Sequence, residues 1–170
     1  RRAIDQDPLS SAAYHRLGIG LLAAGRQQEA EATFRKEIEL SPQRIMAHGC
    51  LAGALLAQGR LDEALEEAKR EGEDVYHFLA LTAVEHARGN SEASDLALKT
   101  MVDTLWESGA FQIAEAYASR GEVDSAFEWL ERAHAQRDPG LIEITNSYFI
   151  SRLRSDPRWE VFLKKKMGFQ

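Results

Sequence analysis

Residues 16–26 read RLGIGLLAAGR and residues 50–60 read CLAGALLAQGR, so the chain nearly repeats itself after 34 residues. Leu17/Leu51, Leu21/Leu55, Leu22/Leu56, Ala23/Ala57, Gly25/Gly59 and Arg26/Arg60 coincide at that offset, and Glu29/Glu63 and Ala30/Ala64 extend the match. A fixed period of this length marks an architecture in which one supersecondary unit stacks on the next. Apolar residues recur at three- and four-residue spacing, and alternating strand-like runs are absent, so the unit is helical.

Gly25, Gly59, Gly89 and Gly121 each separate two such helical stretches, with spacings of 34, 30 and 32 residues. A short helix–helix turn needs a residue that tolerates positive φ at this place. The glycines therefore divide the chain into four helix pairs: 11–24 with 27–40, 44–58 with 61–71, 74–88 with 91–105, and 109–120 with 123–136. Asp74 and Asn90 or Ser91 are suited to cap N-termini. Ser41-Pro42 and Asp138-Pro139-Gly140 close the first and fourth pairs, because proline lacks a donor and disfavours helix in the residue before it. Gly72 arrives early, which shortens the second pair.

These positions resemble the tetratricopeptide repeat (TPR) family. The first pair supplies Tyr14, Leu17-Gly18, Leu21, Ala30, Phe34 and Pro42, with Glu37 where the motif has a small residue. The second supplies His48, Leu51-Ala52, Leu55, Ala64 and Ala68. The third is degenerate, with Phe78, Leu81-Thr82, Ser94 and Leu98, and the fourth supplies Ile113-Ala114, Tyr117, Ala126, Leu130 and Ala133. The resemblance implies an all-α, right-handed superhelical array of four TPR-like helix pairs with a helical C-terminal cap. Its divisions are 9–42, 43–73 (shortened), 74–106 (degenerate) and 107–140, followed by a capping segment over 141–170. Residues 1–8, RRAIDQDP, place Ala3 and Pro8 at the spacing that ends a repeat, so they read as the tail of a preceding repeat helix. The ending, WLERAHAQRDPGL…LRSDPRWEVFLKKKMGF, is similar to that of many bacterial regulatory proteins in which repeats follow a nucleotide-cyclase, DNA-binding or kinase domain. On that resemblance the chain is the C-terminal part of a larger regulatory-type protein.

Composition narrows the function. The 170 residues carry a net charge of −6 with both signs interspersed, which leaves no electrostatic footprint for nucleic acid. Lys164-Lys165-Lys166 reads as a solvated helix face. One cysteine, Cys50, excludes an internal disulfide and suits a reducing, cytoplasmic setting. No apolar run approaches the roughly 18–20 residues of a membrane span.

No catalytic or metal-binding constellation emerges from the residues. None of His15, His48, His77, His86 and His134 has the spacing of a zinc site. His48 and Cys50 are two residues apart, about 200° around a helix, which does not make a nucleophile–base pair. Acidic pairs such as Glu37/Glu39 and Glu66-Glu67 read as solvated surface. The chain is thus expected to be no enzyme and to need no cofactor.

Stacked helix pairs offer a concave surface for binding. Carried over from the TPR pattern, the groove residues are His15, Ile19, Leu22, Met46, Leu56, Tyr76, Leu79, His86, Phe111 and Glu115. The carboxylate clamp of co-chaperone repeats would need lysine, arginine and asparagine where this chain has His15, Ile19, Cys50, Tyr76 and Ala80, so an acidic C-terminal peptide is not the expected ligand. The expected partner is a protein, either a peptide or a helix with apolar anchors. The alternatives are self-association as a homodimer, and coverage of the same stripe by residues 141–170 of the chain itself.

Overall fold

The structure, a computed structural model, describes residues 7 and 9–168. The reading of residues 1–8 as the tail of a preceding repeat helix therefore lies outside the described residues, apart from Asp7. Among the described residues there are nine α-helices and no strand. The first eight form four hairpins: α1 (Ser11–Ala23) with α2 (Gln27–Leu40), α3 (Ala47–Ala57) with α4 (Leu61–Arg70), α5 (Val75–Ala87) with α6 (Ser91–Leu105), and α7 (Ala110–Ser119) with α8 (Val123–Gln136). The described residues thus form an all-α array of four stacked helix pairs.

Each hairpin turns on a glycine in the left-handed region, with φ of 74° at Gly25 and Gly59, 78° at Gly89 and 79° at Gly121. There a side chain would be strained, which is why the turn glycines recur. Asp74 starts α5 by accepting from the backbone N–H groups of Tyr76 and His77, and Asn90 starts α6 by accepting from Ala93.

Within a hairpin the helices approach through small residues. Ala30, Ala52, Ala64, Ala114 and Ala126 are all fully buried, and a Cβ placed on Gly18 would fall 2.7 Å from Phe34 Cδ1 and Cζ and closer still to Cε1. Between hairpins, α3 touches α1 and α5, and α5 touches α7, so the first helices of the four pairs form a continuous inner layer. Leu21, Leu51, Leu55 and Val84 share one core cluster across the first three pairs, and Leu79, Met101 and Ile113 share another across the third and fourth. Fully burying such a side chain stabilises by roughly 1.5–3 kcal/mol, so the inter-pair contacts carry much of the stability.

An arginine beside each later turn crosses to the second helix of the pair before it. Arg60 lies 2.6 Å from Glu31 on α2, Arg88 pairs with Asp62 on α4, and Arg120 lies 2.6 Å from Asp95 on α6. Arg158 continues the series to Asp124 on α8, at 2.8 Å.

After α8 come two 3₁₀ turns, 139–143 and 151–155, and then α9 (Pro157–Met167), opened by Asp156 accepting from Arg158 N–H with Pro157 in its first turn. Leu141, Ile144, Ile150, Leu153, Trp159 and Phe162 join the cluster formed by α7 and α8, so this segment covers the outer apolar face of the last hairpin. Lys166 pairs with Glu131 at 2.9 Å, and Lys164 with Glu160 at 3.8 Å, which accounts for part of the basic run.

Candidate functional site

The inner layer encloses a cavity of about 370 Å³. Helices α1, α3, α5 and α7 form its walls, and the chain from Pro139 to Phe149 forms a strap along one side. The strap is anchored at its far end by two aromatic side chains. Tyr148 packs against the cluster that contains Leu22 and Leu55 of the first two hairpins, whereas Phe149 packs against the cluster that contains Leu79 and Ile113 of the third and fourth. Phe149 can reach the inner layer because Gly53 has no side chain: a Cβ there would lie 3.1 Å from Phe149 Cζ.

Eight of the ten groove residues read from the sequence line this one cavity: His15, Ile19, Leu22, Met46, Tyr76, Leu79, Phe111 and Glu115. Leu56 and His86 do not. They border a second hollow on the other side of Tyr148 and Phe149, together with Arg152. The strap divides a stripe that the sequence presents as continuous. Leu79 and Phe111 are also only 3% and 1% exposed, so they belong to the packed core as well as to the cavity wall. Ile19, Met46 and Tyr76 are half-buried and present more surface.

Two ion-pair clusters tie the first two hairpins together internally, and one of them reaches the cavity through His15. Glu37 is fully buried; its carboxylate lies 3.0 Å from His15 Nδ1 and 2.7 Å from Arg44 Nε. Glu67, also buried, lies 2.7 Å from His48 Nδ1 and 2.8 Å from Arg70. The expectation of solvated acidic pairs is therefore corrected at these two positions, while Glu39 and Glu66 are exposed. A buried carboxylate needs cations or donors around it, and here a histidine from the paired helix and an arginine supply them. The occupation of a small-residue position of the motif by Glu37 was the sequence signal that could have revealed it.

Two further buried acids hold helix N-termini. The second helix of an antiparallel hairpin ends where the first begins, so an acid at that end reaches the unpaired N–H groups. Glu71 accepts from the backbone N–H of Met46 and of Gly49 at the start of α3. Asp138 accepts from Phe111 N–H in α7 and from Gly140 N–H at the strap's beginning. Glu115 differs from all of these. It lies mid-α7, 6% exposed, beside the hydroxyl of Ser147 in the strap. Burial pushes its carboxyl up to about 8, helped by the negative charges of Asp138 and Glu143.

His48 turns to Glu67 while Cys50 lines the cavity, so the two do not meet. Burial and the nearby acids push the Cys50 thiol well above its usual range, leaving it a neutral wall rather than a nucleophile. Among the described residues no group of three or more His, Cys, Asp or Glu is placed to hold a metal ion, and no helix is long and apolar enough to cross a membrane. Among the described residues neither lysine nor arginine lines the cavity.

An inner layer of first helices with a hollow facing it is the form of a helical-repeat interaction scaffold. Residues 1–45 match one family model of the tetratricopeptide repeat and residues 45–70 match another, which supports a TPR domain in this chain. Repeats of this family generally mediate protein–protein interaction and are non-catalytic scaffolds. No curated protein matches the chain.

Proposed function

We propose that the chain is a protein-interaction module that seats one side chain of a partner peptide in the cavity under the strap. The observation that carries this reading is the convergence of eight groove positions on a single hollow, seven from α1, α5 and α7 and the eighth, Met46, from the residue that precedes α3. Its size refines the expected ligand. About 370 Å³ falls near the lower end of the range for small-ligand pockets, roughly 300–1,000 Å³, whereas a helix with its side chains is about 10–12 Å across. The strap occupies the room that a docked helix would need. A peptide in extended form, with one anchor residue inserted, fits what is left.

In this reading the four pairs divide at 9–42, 43–73, 74–106 and 107–140, and residues 141–170 both cap the array and narrow its groove. The placement within a larger regulatory-type protein rests only on the resemblance of the C-terminal ending.

The test is selection of a displayed random-peptide library against the intact chain and against Ile19→Arg and Met46→Arg. Both residues are half-buried, so either substitution fills the cavity mouth without opening the core. Peptides enriched on the parent chain are expected to lose at least tenfold in affinity for both variants while the melting transition stays within a few degrees. Equal binding by the variants would refute the site.

A further inference from the structure

The other buried acids described above have evident structural duties. Glu37 and Glu67 pair with histidine and arginine, whereas Glu71 and Asp138 hold helix N-termini. Glu115 has neither. Among the described residues no lysine, arginine or histidine forms an ion pair with it, and its side chain borders open volume. An acid kept in an apolar hollow costs stability unless something compensates it. The protein supplies a serine hydroxyl and two further acids, Asp138 and Glu143, at the same cavity. The histidine of the wall, His15, is already held by Glu37. Among the described residues, no lysine or arginine borders the cavity.

Resting on the groove reading above, we propose that the cavity receives a basic side chain of the partner peptide, a lysine or arginine, whose cation pairs with the Glu115 carboxylate. The charge is complementary, since the cavity is lined by acids and, among the described residues, by neither lysine nor arginine. The apolar walls suit the rest of the side chain, because lysine and arginine carry long methylene stems that bury well against Ile19, Leu22 and Phe111. The Tyr76 ring adds an aromatic surface of the kind that cations favour.

The proton balance is explicit. In the empty protein at neutral pH Glu115 holds its proton, with a carboxyl pushed up to about 8. Seating a cation converts the carboxyl to a carboxylate, and the proton leaves to solvent. Affinity for a cation therefore rises about tenfold per pH unit below 8 and levels off above it. Of the other titratable groups at the cavity, Tyr76 is pushed up to about 12 and Cys50 well above its usual value, so both stay neutral, and His15 is paired with Glu37. Asp138 and Glu143 remain the neighbouring negative charges.

The experiment is an NMR titration of the intact chain with three probes of equal length: hexylammonium, hexanol and hexanoate. Hexylammonium is expected to bind at least tenfold more tightly than the other two at pH 8, shifting the Ile19, Met46 and Tyr76 signals. Its affinity should fall about tenfold from pH 7.5 to 6.5 while that of hexanol stays flat. Glu115→Gln should equalise hexylammonium and hexanol; the pH arm needs no substitution and stands whether or not that variant folds. A preference that survives Glu115→Gln overturns the pairing with Glu115, and hexanol binding as tightly as hexylammonium overturns the assignment of a basic ligand; either leaves the apolar cavity standing. No binding by any probe overturns the cavity reading with it. A pentapeptide with a central lysine should then bind better than its norleucine counterpart; binding of the free amine alone would overturn the peptide source.

Discussion

Phe149 Cζ lies 3.1 Å from the point where a Cβ on Gly53 would stand, so a residue 96 positions later in the chain packs directly on the backbone of α3. That contact fixes the strap against the inner layer and sets the size of the cavity. Gly53→Leu is expected to push Phe149 off α3, because the new side chain needs the space the ring occupies. Hydrogen exchange read by mass spectrometry should then show loss of protection over residues 144–150, with α1 to α6 unaffected. Unchanged protection there would mean that the strap is held by other contacts.

Gly18 has a different role, in the packing of one hairpin. Its Cβ would fall 2.7 Å from Cδ1 and Cζ of the fully buried Phe34 ring and closer still to Cε1. Gly18→Ala is expected to destabilise by about 1–3 kcal/mol through overpacking, measured by denaturant unfolding, with a larger loss for Gly18→Leu. Tolerance of both would contradict the close approach of α1 and α2.

Leu79 separates binding from folding. It is 3% exposed and shares a core cluster with Met101 and Ile113. Leu79→Glu would bury an unpaired charge, so loss of the cooperative melt is expected rather than a folded protein that no longer binds. Retention of the parent melting temperature would place Leu79 on open surface instead.

Glu115 imposes a pH dependence on stability with a definite sign. Its carboxyl is pushed from 4.5 up to about 8 by folding, so between those values the folded chain holds a proton that the unfolded chain has lost. The native state is favoured most below 4.5 and loses stability as pH rises towards 8. Glu115→Gln is expected to remove this slope: similar to the parent at pH 5 and more stable at pH 8, in denaturant titrations across the range. A parallel pH profile for the two proteins would contradict the burial of this acid.

The hairpins were legible because their cause is local. A glycine at each turn, small residues such as Ala30 and Ala64 where helices touch, and proline after α2 all act within one repeat. The strap was not legible beyond the possibility that residues 141–170 cover the groove. Tyr148 and Phe149 sit in a stretch without helical period, and Gly53 and the clusters of Leu22 and Leu79 that they pack against are far away in sequence. The buried acids escaped for the same reason, since Glu37 and Glu67 are satisfied by side chains from other segments. The turn arginines were visible as a recurrence, whereas their reach back to Glu31, Asp62 and Asp95 depends on how one hairpin stacks on the next.

The most direct test of the cavity as the binding site is a chemical-shift map of the intact chain with the tightest peptide from the displayed library. Changes are expected to centre on the amides of Ile19, Met46 and Tyr76 and on the strap from Glu143 to Phe149. Changes confined to the outer helices α2, α4 and α6, with the inner layer silent, would contradict it.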